Sequence, residues 1–274
     1  MNKPTLYSKY HGLQTTDANY VLDNYIRLIK WKGQDNALDV GCGSGQVTTN
    51  ILLPLLPQDF KKLVGLDISP EMVKHAKSQN ENPKVDFIAS DISSIDIKND
   101  ICEEFDHIFS FYCLHWVQNQ RQTIKNMYNL LKPGGDVLLT FLANNPIFHI
   151  YEVMAKNPKW SHYMKNYELF ISPYQHCEDP EKVFETMLIE EGFSVHQCKV
   201  VERNYTFPDM NVLKKSVIAV NPFINNIPEN MKNDYIDDYM KEAQNLKYTH
   251  NDDNKDLALK VPYNLFIIIA SKSS

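Results

Sequence analysis

The stretch ALDVGCGSGQVT, residues 37–48, decides the fold. A short apolar strand, NALDV, runs into three alternate glycines, Gly41, Gly43 and Gly45. An apolar-periodic segment, residues 45–53, follows as a helix. Outward from this turn, strands and helices alternate. KLVGLD, VDFIAS, FDHIFSF and DVLLTF read as strands, at residues 62–67, 85–90, 105–111 and 136–141. Residues 70–79 and 121–131 read as the helices between them. Ser69 caps the first, and Pro70 takes its first helical position. The order implies an α/β fold, a parallel sheet with helices on both faces and right-handed crossovers.

An amphipathic helix is expected ahead of the turn, over residues 16–30. Thr16 or Asp17 would cap it, and Tyr20, Val21, Asn24, Ile26 and Leu28 lie at roughly helical spacing. After Phe141 the rhythm breaks. Residues 144–172 are rich in aromatics and read as irregular helices. A helix over 181–191 ends at Gly192, and FSVHQCKVVERNYTF alternates as a strand. Helical stretches around 212–220 and 229–246 precede a final strand, YNLFIIIAS. These late elements are interwoven with the sheet, so one domain is expected over residues 1–274.

The 274 residues are 43% hydrophobic, enough for a sizeable core, and carry a net charge of −6. An acidic balance argues against nucleic-acid or anionic-membrane partners, which want a basic face. The five cysteines (Cys42, Cys102, Cys113, Cys177, Cys198) are odd in number and lack CxxC spacing. That fits a reducing compartment better than a disulfide framework or a zinc site, and no metal site is expected. The N-terminus has no apolar signal core, and LFIIIA is too short to span a bilayer. A cytoplasmic protein without membrane insertion is expected.

Ligands of open α/β sheets sit beyond the carboxyl ends of the strands, at a switch point. Asp67 ends the second strand, where a carboxylate can accept both hydroxyls of a ribose. The dinucleotide fingerprint G-x-G-x-x-G would need its third glycine where Gln46 stands; this chain has G-x-G-x-G, preceded by Asp39. A pyrophosphate wants bare amides, whereas a ligand with an ammonium group wants an acid nearby. No G-K-[ST] follows, so this is not a phosphate-binding Walker loop.

Four motifs in order, LDVGCGSG, GLDISPEMV, IASDISS and LKPGGDVLLTF, resemble those of class I S-adenosylmethionine-dependent methyltransferases. The resemblance implies a Rossmann-like seven-stranded sheet with a cofactor core over about 33–142. It implies S-adenosylmethionine as cofactor and S-adenosylhomocysteine as product. It places Asp39, Gly41, Gly43 and Gly45 against the amino-acid and sugar portion, which would pass directly over bare glycines. Asp67 and Ile68 would take the ribose and the adenine edge. Asp91 and Ile92 would bracket the adenine, Asp91 accepting from its amine; the alternative for Asp91 is to cap a turn before Ser93. Cys42 and Phe111 are counted with the cofactor residues, Cys42 as a small filler of the turn and no nucleophile.

No [DN]-P-P-[YFW] or Pro-Cys motif follows the fourth strand, which disfavours a nucleobase acceptor and leaves a small one. LYSKYHGLQ, FYCLHWV, AVNPFINNIPE and DYIDDYM resemble insect juvenile hormone acid methyltransferases, which O-methylate farnesoic acid or its epoxy acid. That resemblance implies a lipophilic carboxylic acid substrate, with Gln14 and Trp116 at its carboxylate and His115 as a buttress. The alternatives are a solvated Gln14 before the helix and a core Trp116. Ile147, Phe148, Tyr151, Met154, Trp160, Tyr163, Tyr167 and Phe170 would form an aromatic lid, and Val220, Phe223 and Ile224 a second wall. Plain core packing is the competing reading for each. The lid insertions are set at about 143–178 and 208–258, and the chain is compatible with a homodimer. Other acceptors remain open: a polyacid, which would want several Arg where only Arg27, Arg121 and Arg203 exist, an amine, or terpenoid binding without catalysis.

Overall fold

The structure, a computed structural model, describes residues 4–246 and 259–274; the end of the second expected insertion, 247–258, lies outside the described residues. Among the described residues seven strands form one sheet in the order β3-β2-β1-β4-β5-β7-β6. These are β1 (Asn36–Val40), β2 (Lys62–Asp67), β3 (Val85–Ala89), β4 (Phe105–Phe111), β5 (Leu131–Asn144), β6 (Phe193–Phe207) and β7 (Leu259–Lys272). The first five are parallel, as expected from the alternation. The last two are not: β7 runs antiparallel to β5, and β6 antiparallel to β7. β4 and the apolar centre of β7 are buried on both faces; β7 reads there as an apolar run, whereas β4 buries Asp106, His107 and Ser110 with hydrogen-bond partners.

Helices α3 (Pro70–Gln79), α4 (Ile97–Asp100), α5 (Gln120–Leu130) and α7 (Pro180–Glu191) connect or flank the strands. Ser69 caps α3, accepting from the Met72 N–H, and Gly192 closes α7 in the left-handed region. The helix expected over residues 45–53 is instead a wide π turn, Thr48–Leu52, running into a 3-10 turn, Leu53–Leu55. Pro54 has no N–H for a fourth-residue hydrogen bond and ends the regular winding.

At the front, α1 (Pro4–Tyr10) and α2 (Gly12–Tyr25) precede β1. The expected helix start at Thr16 or Asp17 is wrong by one turn. α2 begins at Gly12, and Asp17 lies on its buried face with Ala18, Val21 and Leu22, while Leu28 is exposed. Asp17 is fully buried and clasped by donors. It accepts from the hydroxyls of Tyr112 and of Tyr263 (2.8 Å), and from Arg203 through Nε (3.1 Å) and Nη2 (2.9 Å). The guanidinium also lies 3.9 Å from the ring centre of Tyr20.

Over the carboxyl ends of the strands lie α6 (Pro146–Lys156), α8 (Met210–Val220) and α9 (Lys232–Asn245). Phe148, Tyr151, Met154 and Trp160, expected to face a ligand, are buried within this cap. Tyr151 packs edge-on against Phe223, and Trp160 donates its indole N–H to Asp238 at 2.9 Å. No described helix is long and apolar enough to cross a membrane.

Removing the Asp17 carboxylate leaves Arg203 and two tyrosine hydroxyls without their acceptor. Breaking such a buried pair costs on the order of 3–5 kcal/mol. Asp17→Ala should therefore lower the unfolding free energy by roughly that amount in urea titration. A loss under about 1 kcal/mol would mean that the clasp is not what holds α2 to the sheet.

Candidate active site

The chain runs from β1 outward to β3 and then returns to β4 on the other side of β1, which opens a crevice beyond the ends of β1 and β4. Two loops meet there, the glycine turn after β1 and the segment Tyr112 to Trp116 after β4.

The three glycines are bare for three reasons. Gly41, at φ +78°, would put a Cβ 2.2 Å from the Cβ of Cys113. Gly45, at φ +81°, would put one 2.9 Å from Ala76 and 3.0 Å from Phe87. Both are thus demanded by the protein's own packing and by positive φ, whatever lies over the turn. Gly43, at φ +54°, would put a Cβ in ordinary contact with the ring of Tyr7, at 3.6 Å, without a clash.

Asp67 grips the turn from below. Its Oδ2 accepts from Gly43 N–H and its Oδ1 from Ser69 N–H, both at 2.9 Å. Burial raises its pKa above the ordinary carboxylate value, and the two amides partly oppose that shift. Asp39 is buried beneath the same turn and accepts from the Thr48 hydroxyl at 2.6 Å. Burial first, and then the charge of Asp67, push its pKa up to about 7 against the Thr48 hydrogen bond. Cys42 is buried in the turn, and burial raises its thiol pKa, as suits a filler.

A cleft of about 1220 Å³, open mouth included, runs over this floor past Gly41, Gly43, Asp67, Ile68, Asp91 and Ile92. Ile68 is 67% exposed at its rim. Asp91 borders the cleft and also caps the local turn, its Oδ1 accepting from the amide and hydroxyl of Ser93, both at 2.8 Å. A smaller pocket adjoins Asp39 and is bordered by Tyr7, His11, Gln14, Ser44, Gln46 and Phe111. The buried Ser44 Oγ and Gln46 Oε1 have no hydrogen-bond partner there. These residues fit S-adenosylmethionine: orphaned polar atoms and an acid for its amino-acid end, Asp67 for ribose hydroxyls, and apolar Ile68 and Ile92 for adenine. Phe111 borders the amino-acid end, not the adenine slot.

A second cavity, about 950 Å³ with its mouth, lies under α6, α8 and α9. Gln14, His115 and Trp116 all border it, so the structure brings the three together. Gln14 is on α2, not on a solvated approach to it. Ile147 and Val220, expected as lid and second wall, border it with Ile150, Leu213 and Val217, while the expected lid aromatics do not. Among the described residues no Asp, Glu, Lys or Arg borders it. Tyr7, Tyr112, Trp116 and Val220 border both this cavity and the cofactor cleft, so the two spaces meet at these four side chains. His115 is buried, accepts from Leu142 N–H at 3.3 Å through Nδ1, and packs at a tilt against Trp116 with ring centres 4.8 Å apart. Burial alone drives its pKa down to about 3, so the ring is neutral.

Tyr7, Tyr112 and Asp17 were missed as functional residues. Tyr7 and Tyr112 lie inside the stretches LYSKYHG and FYCLHWV, but nothing local marks them as facing a cavity. Tyr112 has φ +62°, a strained value for a tyrosine, held by the hydroxyl bond to Asp17.

Comparison with known proteins agrees with this geometry. A family described as "Methyltransferase domain" matches residues 38–139. The chain is 38% identical to a juvenile hormone acid O-methyltransferase of Bombyx mori, over 99% of this chain and 98% of that one. It is 36% identical to the enzyme of the same name from Drosophila melanogaster, over 100% and 93%. A putative methyltransferase from Bacillus halodurans shares the fold, with a TM-score of 0.58 at 18% identity over 92% and 99% of the two chains. An acid-led glycine turn, Asp67 at the end of β2 and full-length similarity converge: the chain belongs to the juvenile hormone acid O-methyltransferase family of class I S-adenosylmethionine-dependent methyltransferases.

Proposed function

We propose that this enzyme methylates the carboxylate of a lipophilic, terpenoid monocarboxylic acid, farnesoic acid or its epoxy relative. One observation carries the reading: an apolar cavity without charged lining among the described residues opens onto the cofactor cleft at Trp116. Long apolar tails suit such a wall, and a few polar groups at one end set orientation. The names of the two insect relatives support the same acceptor class. Arg203, which a polyacid would recruit, is committed to Asp17.

Bound S-adenosylmethionine supplies a methyl group on a positively charged sulfur that keeps the bonding pair as the methyl leaves. A carboxylic acid is already ionised at pH 7, so no residue has to remove a proton. His115 is suited to no such role, being neutral, buried and engaged by Leu142 N–H. What the chain must do is orient one carboxylate oxygen and exclude water. The Trp116 indole at the junction and Gln14, which borders the acceptor cavity and the pocket beside Asp39, offer neutral N–H donors. Neutral donors hold the oxygen without placing a second cation beside the sulfonium.

Trp116→Phe keeps the ring and removes one N–H. A hydrogen bond to a charged group is worth roughly 1.5–3 kcal/mol, so kcat/KM for the acid should fall about 10- to 150-fold. Cofactor affinity should stay nearly constant. A labelled-methyl assay on terpenoid and fatty acids, amines and phenols checks the acceptor class. Methylation of amines or phenols but of no acid would overturn the reading, and an unchanged kcat/KM in Trp116→Phe would leave the indole a core aromatic.

Cofactor binding should also depend on pH through Asp39, whose pKa of about 7 makes it half protonated near neutrality. The ionised form attracts the cofactor's cationic end, so affinity should rise by roughly tenfold from pH 6 to pH 8. Asn at this position still accepts from Thr48 but carries no charge, so calorimetry on Asp39→Asn should show a flat profile. A profile unchanged by the substitution would place the titrating group elsewhere.

A further inference from the structure

Asn145 stands immediately beyond β5 and caps α6, its side chain accepting from Ile147 N–H at 2.9 Å. Only the amide oxygen can accept that bond, so the cap decides which end of the amide is which. Its own backbone N–H is taken by Gln175 Oε1 at 3.0 Å, which holds the residue in place. The Nδ2 amine is therefore turned away from the helix terminus. It donates to no described residue, and it is not among the sealed polar atoms. Asn145 is only 7% exposed, and it borders the acceptor cavity.

The position in that cavity is informative. Phe148 donates its N–H to the Asn145 carbonyl at 3.1 Å. Its ring packs 5.7 Å from Trp116 and 6.0 Å from His115. Asn145 and Trp116 thus border the same cavity, and Phe148 packs between the two positions. A pre-oriented neutral amide there has one evident use in a cavity with no charged lining.

We propose that Asn145 Nδ2 is a further donor to the acceptor's carboxylate, selecting an anionic head group over its own neutral ester product. The proposal rests on the carboxyl O-methylation reading above. A charge-assisted N–H···O bond is about twice as strong as a neutral one, so a donor fixed here favours the acid over the ester. Its two N–H groups bring no positive charge near the sulfonium.

Ser and Asp both cap helices well, so Asn145→Ser and Asn145→Asp keep the start of α6. The experiment measures kcat/KM for farnesoic acid, affinity for its methyl ester by competition, and cofactor affinity by calorimetry. Asn145→Ser should lower kcat/KM for the acid roughly 10- to 100-fold, mainly through KM, while ester and cofactor affinities change by less than about threefold. Asn145→Asp should lose more at neutral pH, because a carboxylate then faces a carboxylate. Equal weakening of acid and ester by Asn145→Ser would show a change of cavity shape and overturn the proposal, as would a kcat/KM within about twofold of wild type. Wild-type enzyme that methylates no carboxylic acid would instead fail the parent reading.

Discussion

The site depends on one buried carboxylate. A charge taken fully out of water is tolerated only with several good partners. Asp17 has them at a single place, where Tyr112, Tyr263 and Arg203 converge from β4's end, β7 and β6. That requirement sets the register of α2 against the sheet. Gln14 lies three residues earlier on the same helix, so its place at the cavity follows. Tyr112 is held in its left-handed conformation by the same bond, and the loop to Trp116 starts from it. Both candidate carboxylate donors are therefore aligned by a residue that borders neither pocket.

Charge is divided between the two halves of the site. Acids cluster on the cofactor side, where Asp39 and Asp67 lie under the glycine turn and Asp91 at the rim. The acceptor side has no charged lining among the described residues. A cationic cofactor and an anionic acceptor are both served by this arrangement. The acids favour the first, and their absence from the second cavity spares a carboxylate any repulsion at close range. Burial of Asp39 raises its pKa, so the acid is energetically costly until a cation arrives.

The cap over the strands shares one continuous hydrophobic core with a face of the sheet. Phe148 and Tyr151 on α6 are buried within it, while Ile147 and Ile150 of α6, Leu213, Val217 and Val220 of α8 and Tyr239 of α9 border the cavity. Large rigid rings give the cap a fixed shape. The cavity wall combines aliphatic side chains with Tyr10, Trp116, Phe207 and Tyr239 and is largely apolar.

The sequence by itself determined the five parallel strands, the acid-led glycine turn, Asp67 at the end of β2 and the insertions after β5, because each has a local signature in period, spacing or composition. It also singled out Gln14, His115 and Trp116, through resemblance and not through any local pattern. Tertiary structure decided the rest. The antiparallel direction of β6 and β7 depends on pairings across long connections, and strand propensity does not specify direction. Asp17 looked like a helix cap because a short acid near a helix start usually is one; only the arrival of Arg203, 186 residues away, makes its burial tolerable. Gly41 and Gly45 looked like a floor for ligand, but the atoms that exclude a Cβ belong to Cys113, Ala76 and Phe87. Which side of a cap helix faces ligand and which faces its neighbours is set by how three helices cross, and helical periodicity is the same for both.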